Sequence, residues 1–366
     1  MTTQPTLALQ AEAIRKAIDE ACSLTDSDIF SWRRARQDDL PHLLRFTHVT
    51  AGNFARDLFH ADSPYYYSLI QENASSVCGM VLIYVGYSTW DGRVLFFNHT
   101  NDMTLALIML TLAHVAIRLE CTRLVWQHTE TTRTLYQTMG ASTLDEWLTL
   151  RMDRTGIDFF RSTQPAALNV VDVWTGPLAA NAVHRAIDDS LRPINAVMKE
   201  THMRIKRATA SDVADIHRLV QELADYEKVP DAAKVTEDQF RLDGFNSSFS
   251  LYYCLMVQDT DTGQSCGMAL VYFGFDLDTG RFLYLEDLFI EEAFRGRGVG
   301  KVVMLALASI AQRLDCGSVV WQALDWNTPA LTFYDKIGAK VVDGLLTSRF
   351  AGAGLHRFVK SRHPAS

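Results

Sequence analysis

The sequence predicts two copies, joined head to tail, of an α/β unit whose helices pack on a mixed, α+β-type sheet. Three observations predict it. The chain repeats itself along its length. In the second copy, strand patterns are grouped early and then alternate with helical ones, the order that builds a mixed sheet with helices on it. And 366 residues, 48% apolar and 21% charged, suit about two soluble domains with a core each.

The repeat is visible at ordered points. Cys78-Gly-Met-Val-Leu-Ile-Tyr84 answers Cys266-Gly-Met-Ala-Leu-Val-Tyr272, and Gly92-Arg93-Val-Leu-Phe96 answers Gly280-Arg281-Phe-Leu-Tyr284. Further on, Arg118-Leu-Glu-Cys121 matches Arg313-Leu-Asp-Cys316, Val125-Trp126-Gln127 matches Val320-Trp321-Gln322, and Met139-Gly140-Ala141 matches Ile337-Gly338-Ala339. The first unit spans residues 1–160, a linker and helix 161–200, and the second unit 201–366.

The elements follow in order. Met103–Leu119 is apolar but broken by Thr111, His114 and Arg118, which reads as a buried helix and not a membrane span. Thr163-Gln-Pro and Thr175-Gly-Pro carry turn signals, and a helix follows near 179–191. In the second unit Arg204–Arg207 is a short strand. Ser211-Asp212 can cap a helix with Val213, Ile216, Leu219, Val220 and Leu223 at helical spacing. Leu251–Gln258 and Gly267–Phe275 are strands, and Asp278-Thr-Gly280 turns the second into a third over Phe282–Ile290. Gly298–Leu314 is a long helix, Ser318–Ala323 a strand, and Pro329–Ile337 a helix stopped by Gly338. The end of the chain returns as strands.

Composition narrows the function. A net charge of −8 offers no basic face for nucleic acid. The six cysteines show no metal or redox spacing, and His99, His114, His128 and His217 have no ligand-spaced partner, so no metal is expected. Cys78/Cys266 and Cys121/Cys316 are repeat-equivalent and read as small core residues. Met1–Pro5 starts no leader peptide and no lipidation signal is present. The expectation is a cytoplasmic chain with no membrane partner.

The two units differ most at one loop. Arg295-Gly296-Arg297-Gly298-Val299-Gly300-Lys301 joins a strand to a long helix. Alternate glycines permit positive φ and close approach of a ligand. The helix N-terminus beyond them suits an anion, and three cations surround it, so a pyrophosphate is the natural guest. The spacing fits neither Walker A nor the dinucleotide fingerprint. In unit one, Asn98-His-Thr-Asn-Asp102 runs straight into the helix from Met103, with no glycine and no cation.

Arg295-x-x-Gly298-x-Gly300, following Leu285-Glu-Asp-Leu-Phe-Ile290, resembles the acetyl-CoA signature of the GNAT superfamily of N-acetyltransferases. Over residues 203–362 the second unit is similar to the diamine (spermidine/spermine) and thialysine acetyltransferases of that superfamily. Ile205–Asp212, Glu222–Glu227, Leu324-Asp-Trp-Asn327 and Phe333-Tyr334 carry the likeness further. The first unit looks like a degenerate copy.

The resemblance implies tandem GNAT folds forming a pseudo-dimer within one chain, with an active site in the second unit only. It implies that Leu288, Phe289 and Ile290 bond the pantetheine arm of acetyl-CoA through their backbone. The 296–301 loop (Gly296, Arg297, Gly298, Val299, Gly300, Lys301), with Arg295, cradles the pyrophosphate, and Asn327 touches the cofactor. Tyr334 is the implied acid for the leaving thiolate and Glu286 the implied base, acting through water. Tyr226 and Glu227 match positions lining the amine site, and Asp276 and Asp278 stand where such enzymes vary their substrate residues. The polyamine enzymes show an aromatic where Asp278 stands.

The chemistry agrees with these residue types. An alkyl ammonium near pKa 10 attacks nothing until it loses a proton, and a carboxylate both attracts and deprotonates it. A strand N–H can hold the developing oxyanion. Simpler structural readings exist beside the functional ones. Tyr136 shows that the position of Tyr334 tolerates a core role, Asp287 reads as a solvated or turn-bonding carboxylate, and Glu227 can simply end a helix. The function expected is transfer of acetyl from acetyl-CoA to a small primary amine. The alternatives are acetylation of a protein or peptide amine, and a regulatory acetyl-CoA binder without turnover.

Overall fold

The computed structural model describes residues 10–25, 31–59, 65–73, 76–99, 105–164, 172–198, 201–245 and 250–362. The first half carries α1 (Ala11–Thr25), β1 (Ser31–Arg34), α2 (Leu40–Leu43), α3 (Ala51–Leu58), β2 (Tyr66–Asn73), β3 (Ser76–Ser88) and β4 (Gly92–His99). It continues through α4 (Leu105–Arg118), β5 (Arg123–His128), α5 (Arg133–Thr138), β6 (Ser142–Thr143), β7 (Trp147–Asp153) and α6 (Arg154–Ser162). The second half opens with α7 (Ala180–Met198), β8 (Met203–Arg207), α8 (Val213–Tyr226), α9 (Glu237–Phe245), β9 (Tyr253–Asp259), β10 (Ser265–Asp276) and β11 (Gly280–Ile290). It closes with α10 (Val299–Arg313), β12 (Ser318–Leu324), α11 (Thr328–Lys336), β13 (Lys340–Val341), β14 (Leu346–Ala351) and α12 (Ala353–Arg362).

The strands form two seven-stranded mixed sheets, ordered β1-β2-β3-β4-β5-β14-β6 and β8-β9-β10-β11-β12-β7-β13. The orders are equivalent, with one exchange. β7 of the first half lies in the second sheet, pairing Trp321 with Leu150. β14 of the second half lies in the first sheet, pairing Trp126 with Ser348. The linear division at 160 and 201 is therefore amended: each sheet borrows its last long strand from the other half. Leu148-Thr-Leu-Arg-Met152 and Leu346-Thr-Ser-Arg-Phe350 are the repeat that marks these strands.

Local chemistry explains the elements that position the cleft. α10 is apolar on all sides from Val303 to Ala308 and is buried there, as an all-round hydrophobic helix must be. The β10–β11 hairpin closes on Asp276, whose Oδ1 accepts the N–H groups of Asp278 (2.9 Å) and Thr279 (3.0 Å), and on Gly280 at φ +81°.

Between the sheets, the repeat closes on itself. Arg93 of β4 donates through Nε (2.9 Å) and Nη2 (2.8 Å) to Asp243 of α9, and both side chains are buried. Its equivalent, Arg281 of β11, bonds Asp57 of α3, again fully buried. Phe54-Ala-Arg-Asp57 and Phe240-Arg-Leu-Asp243 are thus matching segments that each reach the opposite unit. Aromatic rings follow the same rule: Phe54 meets Phe275 (6.0 Å between centres) and Phe240 meets Tyr87 (5.9 Å).

Some expectations change. The described residues end in a helix, α12, after the last strand, where strands were expected. The helix expected near 179–191 runs to Met198 through Pro193. Ile194 and Met198 are buried, and the Asn195 side chain bonds both backbone groups of Ile205, which holds the segment despite the missing N–H. The unit-one junction at 100–104, where the glycine loop is absent, lies outside the described residues. No described helix is long and apolar enough to cross a membrane.

Candidate active site

β11 and β12 run parallel only from Phe282/Ser318 to Leu285/Trp321. Past that pair they part, and a cavity of about 770 Å³ opens, lined by Leu285–Ile290 on one side and Trp321–Leu324 on the other. The edge of β11 that faces β12 has no ladder there. Unpaired strand edge is a template for another extended peptide-like chain.

At the parting point β11 bulges. Val271 faces Leu285 and Leu270 faces Asp287, so Glu286 has no opposite residue. A bulge re-aims side chains beside a site, and Glu286 comes to line the cavity. In unit one, β3 and β4 pair without interruption from Val81/His99 to Ser88/Gly92. There Asn98, the equivalent of Glu286, donates to the Phe275 carbonyl (2.9 Å) across the interface.

Three carboxyl groups share the cavity wall, and all are held toward their neutral forms. Burial pushes Glu227 up to about 7, with help from nearby Asp287. Its Oε2 is buried with no hydrogen-bond partner among the described residues. Burial, then mutual repulsion with Asp287, raises Glu286 well above the ordinary range, against the pull of Arg123 and a hydrogen bond from Ser88. Burial raises Asp287 too, opposed by a hydrogen bond from Thr89. Asp287 is therefore no solvated carboxylate. A cation bound beside such a wall would draw these groups back toward their charged forms.

Tyr334 stands on α11, packed against Trp321 (4.9 Å between ring centres) and Phe333 (5.3 Å). Burial, then Asp287, pushes its phenol up to about 12, so it stays protonated at neutral pH. Its hydroxyl bonds no described residue, whereas Tyr136 of unit one is tied to His99 Nε2 at 3.0 Å.

The loop folds as the glycines require. Gly296 (φ +75°) and Gly298 (φ +78°) are left-handed, and Gly298 is the N-cap of α10. Gly300 has ordinary φ, and a Cβ on it would meet only Phe333 at 3.8 Å. Neither backbone nor neighbours demand a glycine there, and the space over it is open to the cavity.

Leu288, Phe289, Ile290, Arg295, Gly296, Gly298, Val299, Gly300, Lys301 and Asn327 all line the cavity, with Glu286, Tyr334, Tyr226 and Glu227. Arg295 lies over the Tyr226 ring (4.7 Å) and donates to the Ile290 carbonyl (2.7 Å). Arg297 does not line it. It lies over Phe294 (5.3 Å) and bonds the Ala293 carbonyl (3.0 Å), bracing the loop.

Asp276 and Asp278 are not brought to this cavity. Asp276 closes its own hairpin, and Asp278 is 73% exposed beside His48. The hairpin that reaches the site is the equivalent one of unit one, with Ser88 at Glu286 and Thr89 at Asp287. The aromatic absent at Asp278 is present there as Trp90. Trp147, from exchanged strand β7, also lines the cavity. The repeat showed these equivalences, but only the packing shows that each hairpin serves the opposite unit.

The Acetyltransferase (GNAT) family profile matches residues 216–339. Mouse thialysine N-epsilon-acetyltransferase is 32% identical over 161 residues, covering 42% of this chain and 94% of the relative. The chain belongs to the GNAT acetyltransferase family. It is an acyltransferase of the N-acetyltransferase kind, a family that uses acetyl-CoA as cosubstrate. Human spermidine/spermine N(1)-acetyltransferase-like protein 1 is 33% identical over 150 residues, 39% of this GNAT chain and 21% of the relative. Arabidopsis thaliana L-ornithine N5-acetyltransferase is 28% identical over 200 residues, 43% of this chain and 88% of the relative. A solved tandem GNAT protein from the clavulanic acid biosynthesis pathway covers 87% of this chain and 98% of its own, at 11% identity and a TM-score of 0.44, a likeness too slight to argue from.

Proposed function

We propose that this chain transfers acetyl from acetyl-CoA to a small primary amine, in the second unit's cleft alone. The observation that carries the reading is the asymmetry of the repeat at the cleft. Unit two has the bulge with Glu286, the glycine loop and a free Tyr334 hydroxyl. Unit one has an unbulged strand, Asn98 and a Tyr136 hydroxyl already bonded. The names of the thialysine, spermidine/spermine-like and ornithine relatives point the same way for the acceptor.

The cleft fits acetyl-CoA on its own geometry: an open strand edge at Leu288–Ile290, left-handed glycines at a helix N-terminus, and open space over Gly300. Bound there, it supplies the thioester. The chain's residues do the rest. Glu286 takes a proton from the incoming ammonium, directly or through a water, and its raised pKa makes it a base matched to neutral pH. Glu227 and Asp287 hold the cation. A strand N–H of β11 steadies charge on the carbonyl oxygen. Tyr334, kept protonated, donates to the departing sulfur.

The test is thiol release from acetyl-CoA against a panel of amines, with two variants. Tyr334→Phe is expected to lower kcat by about 10²-fold with little change in acetyl-CoA affinity. Gly300→Ala should weaken acetyl-CoA binding by about tenfold or more while Tm holds or rises, since alanine is the better helix former by about 1 kcal/mol. Tight acetyl-CoA binding without turnover on any amine would overturn the reading in favour of a regulatory binder.

A further inference from the structure

A second, smaller cavity of about 90 Å³ lies between the two sheets, and Glu286 lines both it and the cleft. Its walls come from both units. Unit one supplies Ser88 at the end of β3, Asn98 of β4 and Arg123 at the start of β5. The base of unit two therefore shares a cavity with residues of the other unit.

Arg123 is largely buried and paired with Asp91 of the β3–β4 turn. That pair does not use the whole guanidinium, since Nε is buried with no hydrogen-bond partner among the described residues. An arginine does not shed its charge, so it acts on any titratable group that shares its cavity. A polar cavity of this size also admits water between them.

The repeat separates this arginine from the common framework. Arg151 and Arg349, which line the same cavity, are equivalent residues of the exchanged strands and stand on both sides. Arg123 has no such counterpart. It lies beside Val94, and its equivalent beside Phe282 is Ser318. Three positions change together across the pseudo-two-fold. One set is Glu286, Ser88 and Arg123, and the other is Asn98, Asp276 and Ser318. Where the carboxyl base is present, the opposite unit supplies a hydroxyl and a cation. Where it is absent, a carboxylate replaces the hydroxyl and the cation is gone. A requirement of the shared fold alone would appear on both sides.

Other groups face Glu286 as well. Asp287 on its own strand and Asp91 behind Arg123 act against its charge, and Arg123 acts for it. The phenols of Tyr272 on β10 and Tyr284 on β11 are buried and stay protonated. Arg349 of β14 and the Arg151–Asp276 pair complete the charged lining of the cavity.

We infer that Arg123 of the first unit is a positioning residue for the reaction in the second: its guanidinium faces Glu286 across the shared cavity and keeps the base ready for the acceptor's proton. The inference rests on the transferase reading and gives a role in it to the unit that lacks the glycine loop.

Arg123 and Asp91 act on Glu286 with opposite signs, which separates an electrostatic role from a structural one. In Arg123→Gln the rise of kcat/KM with pH is expected to move up by about one pH unit, so that at a fixed pH below that limb kcat/KM falls by about tenfold. Arg123→Lys should keep most of the wild-type profile, and acetyl-CoA affinity should hold in both. In Asp91→Asn the limb should move down instead. Both Arg123→Gln and Asp91→Asn break the same ion pair, so shifts in one direction for both, or no shift in Arg123→Gln, overturn the inference. If the wild type turns over no amine, the transferase reading fails by itself, and stability then decides the role of Arg123. Glu286→Gln is expected to raise Tm at pH 9 more in an Arg123→Gln background than in the wild type, because the charged carboxylate has there lost its cation. An equal gain in both backgrounds overturns the inference.

Discussion

Glu286→Gln is expected to lower kcat/KM for the acceptor by about 10²–10⁴-fold, the usual weight of a positioned base. Glutamine keeps the volume and the bulge but accepts no proton. The pH profile should change with it. The Glu286 carboxyl is raised by burial and by Asp287, so in wild type the rate climbs as pH rises through that value, and the variant loses this limb. Stability should move the other way. The folded chain keeps a proton on Glu286 that the unfolded chain releases above about 4.5, so this group's favourable share is complete below that pH and is lost as pH rises through the folded value. Glu286→Gln should therefore raise Tm at pH 9 and leave it nearly unchanged at pH 4. A variant with wild-type turnover, or with no gain in Tm at pH 9, would remove Glu286 from the role of base.

Asp57→Ala is expected to destabilise the whole chain by about 3–5 kcal/mol. Arg281 is fully buried, and without Asp57 it keeps only the carbonyls of Leu314 (2.8 Å) and Gly176 (3.2 Å), with Arg56, which would keep Asp315 (2.9 Å), close by as a second positive charge. Removing one partner of a buried pair costs far more than the pair contributes. Replacing both, as Asp57→Ala with Arg281→Met, should recover much of the loss. Urea unfolding measures this. Because β7 and β14 sit in each other's sheets, both units should unfold in a single transition in wild type and variant alike. Two separated transitions, or a double variant no better than Asp57→Ala, would contradict the account.

Much of the fold was legible because it was written twice. Gly92-Arg93 against Gly280-Arg281, and Val125-Trp126-Gln127 against Val320-Trp321-Gln322, located the strands without any structure. Strand and helix bounds in unit two came out within about two residues, since period and turn residues are local properties. α9 and α12 were not anticipated. α9 is short, and its Gly244 lies under the Tyr252 ring, a contact that hydrophobic spacing does not reveal. α12 follows a strand that belongs to the other sheet, so its apolar residues face a core its own unit does not provide.

The site was legible in the same unequal way. The 295–301 loop could be named from type and spacing, and Glu286 and Tyr334 from the family resemblance, because each lies within one or two neighbouring elements. Asp276 and Asp278 were placed in the cleft, and Ser88, Thr89 and Trp147 were not. All of these turn on how the two units face each other.

The sequence alone determined the repeat, the mixed sheets and the glycine-rich loop that one unit has and the other lacks, since these depend on residue types at short separations. The tertiary structure decided the strand exchange, the reciprocal Arg–Asp pairs and which hairpin walls which cavity. Those are relations across a pseudo-two-fold interface. Equivalent residues look alike in a sequence whichever side they serve, and only packing breaks that symmetry.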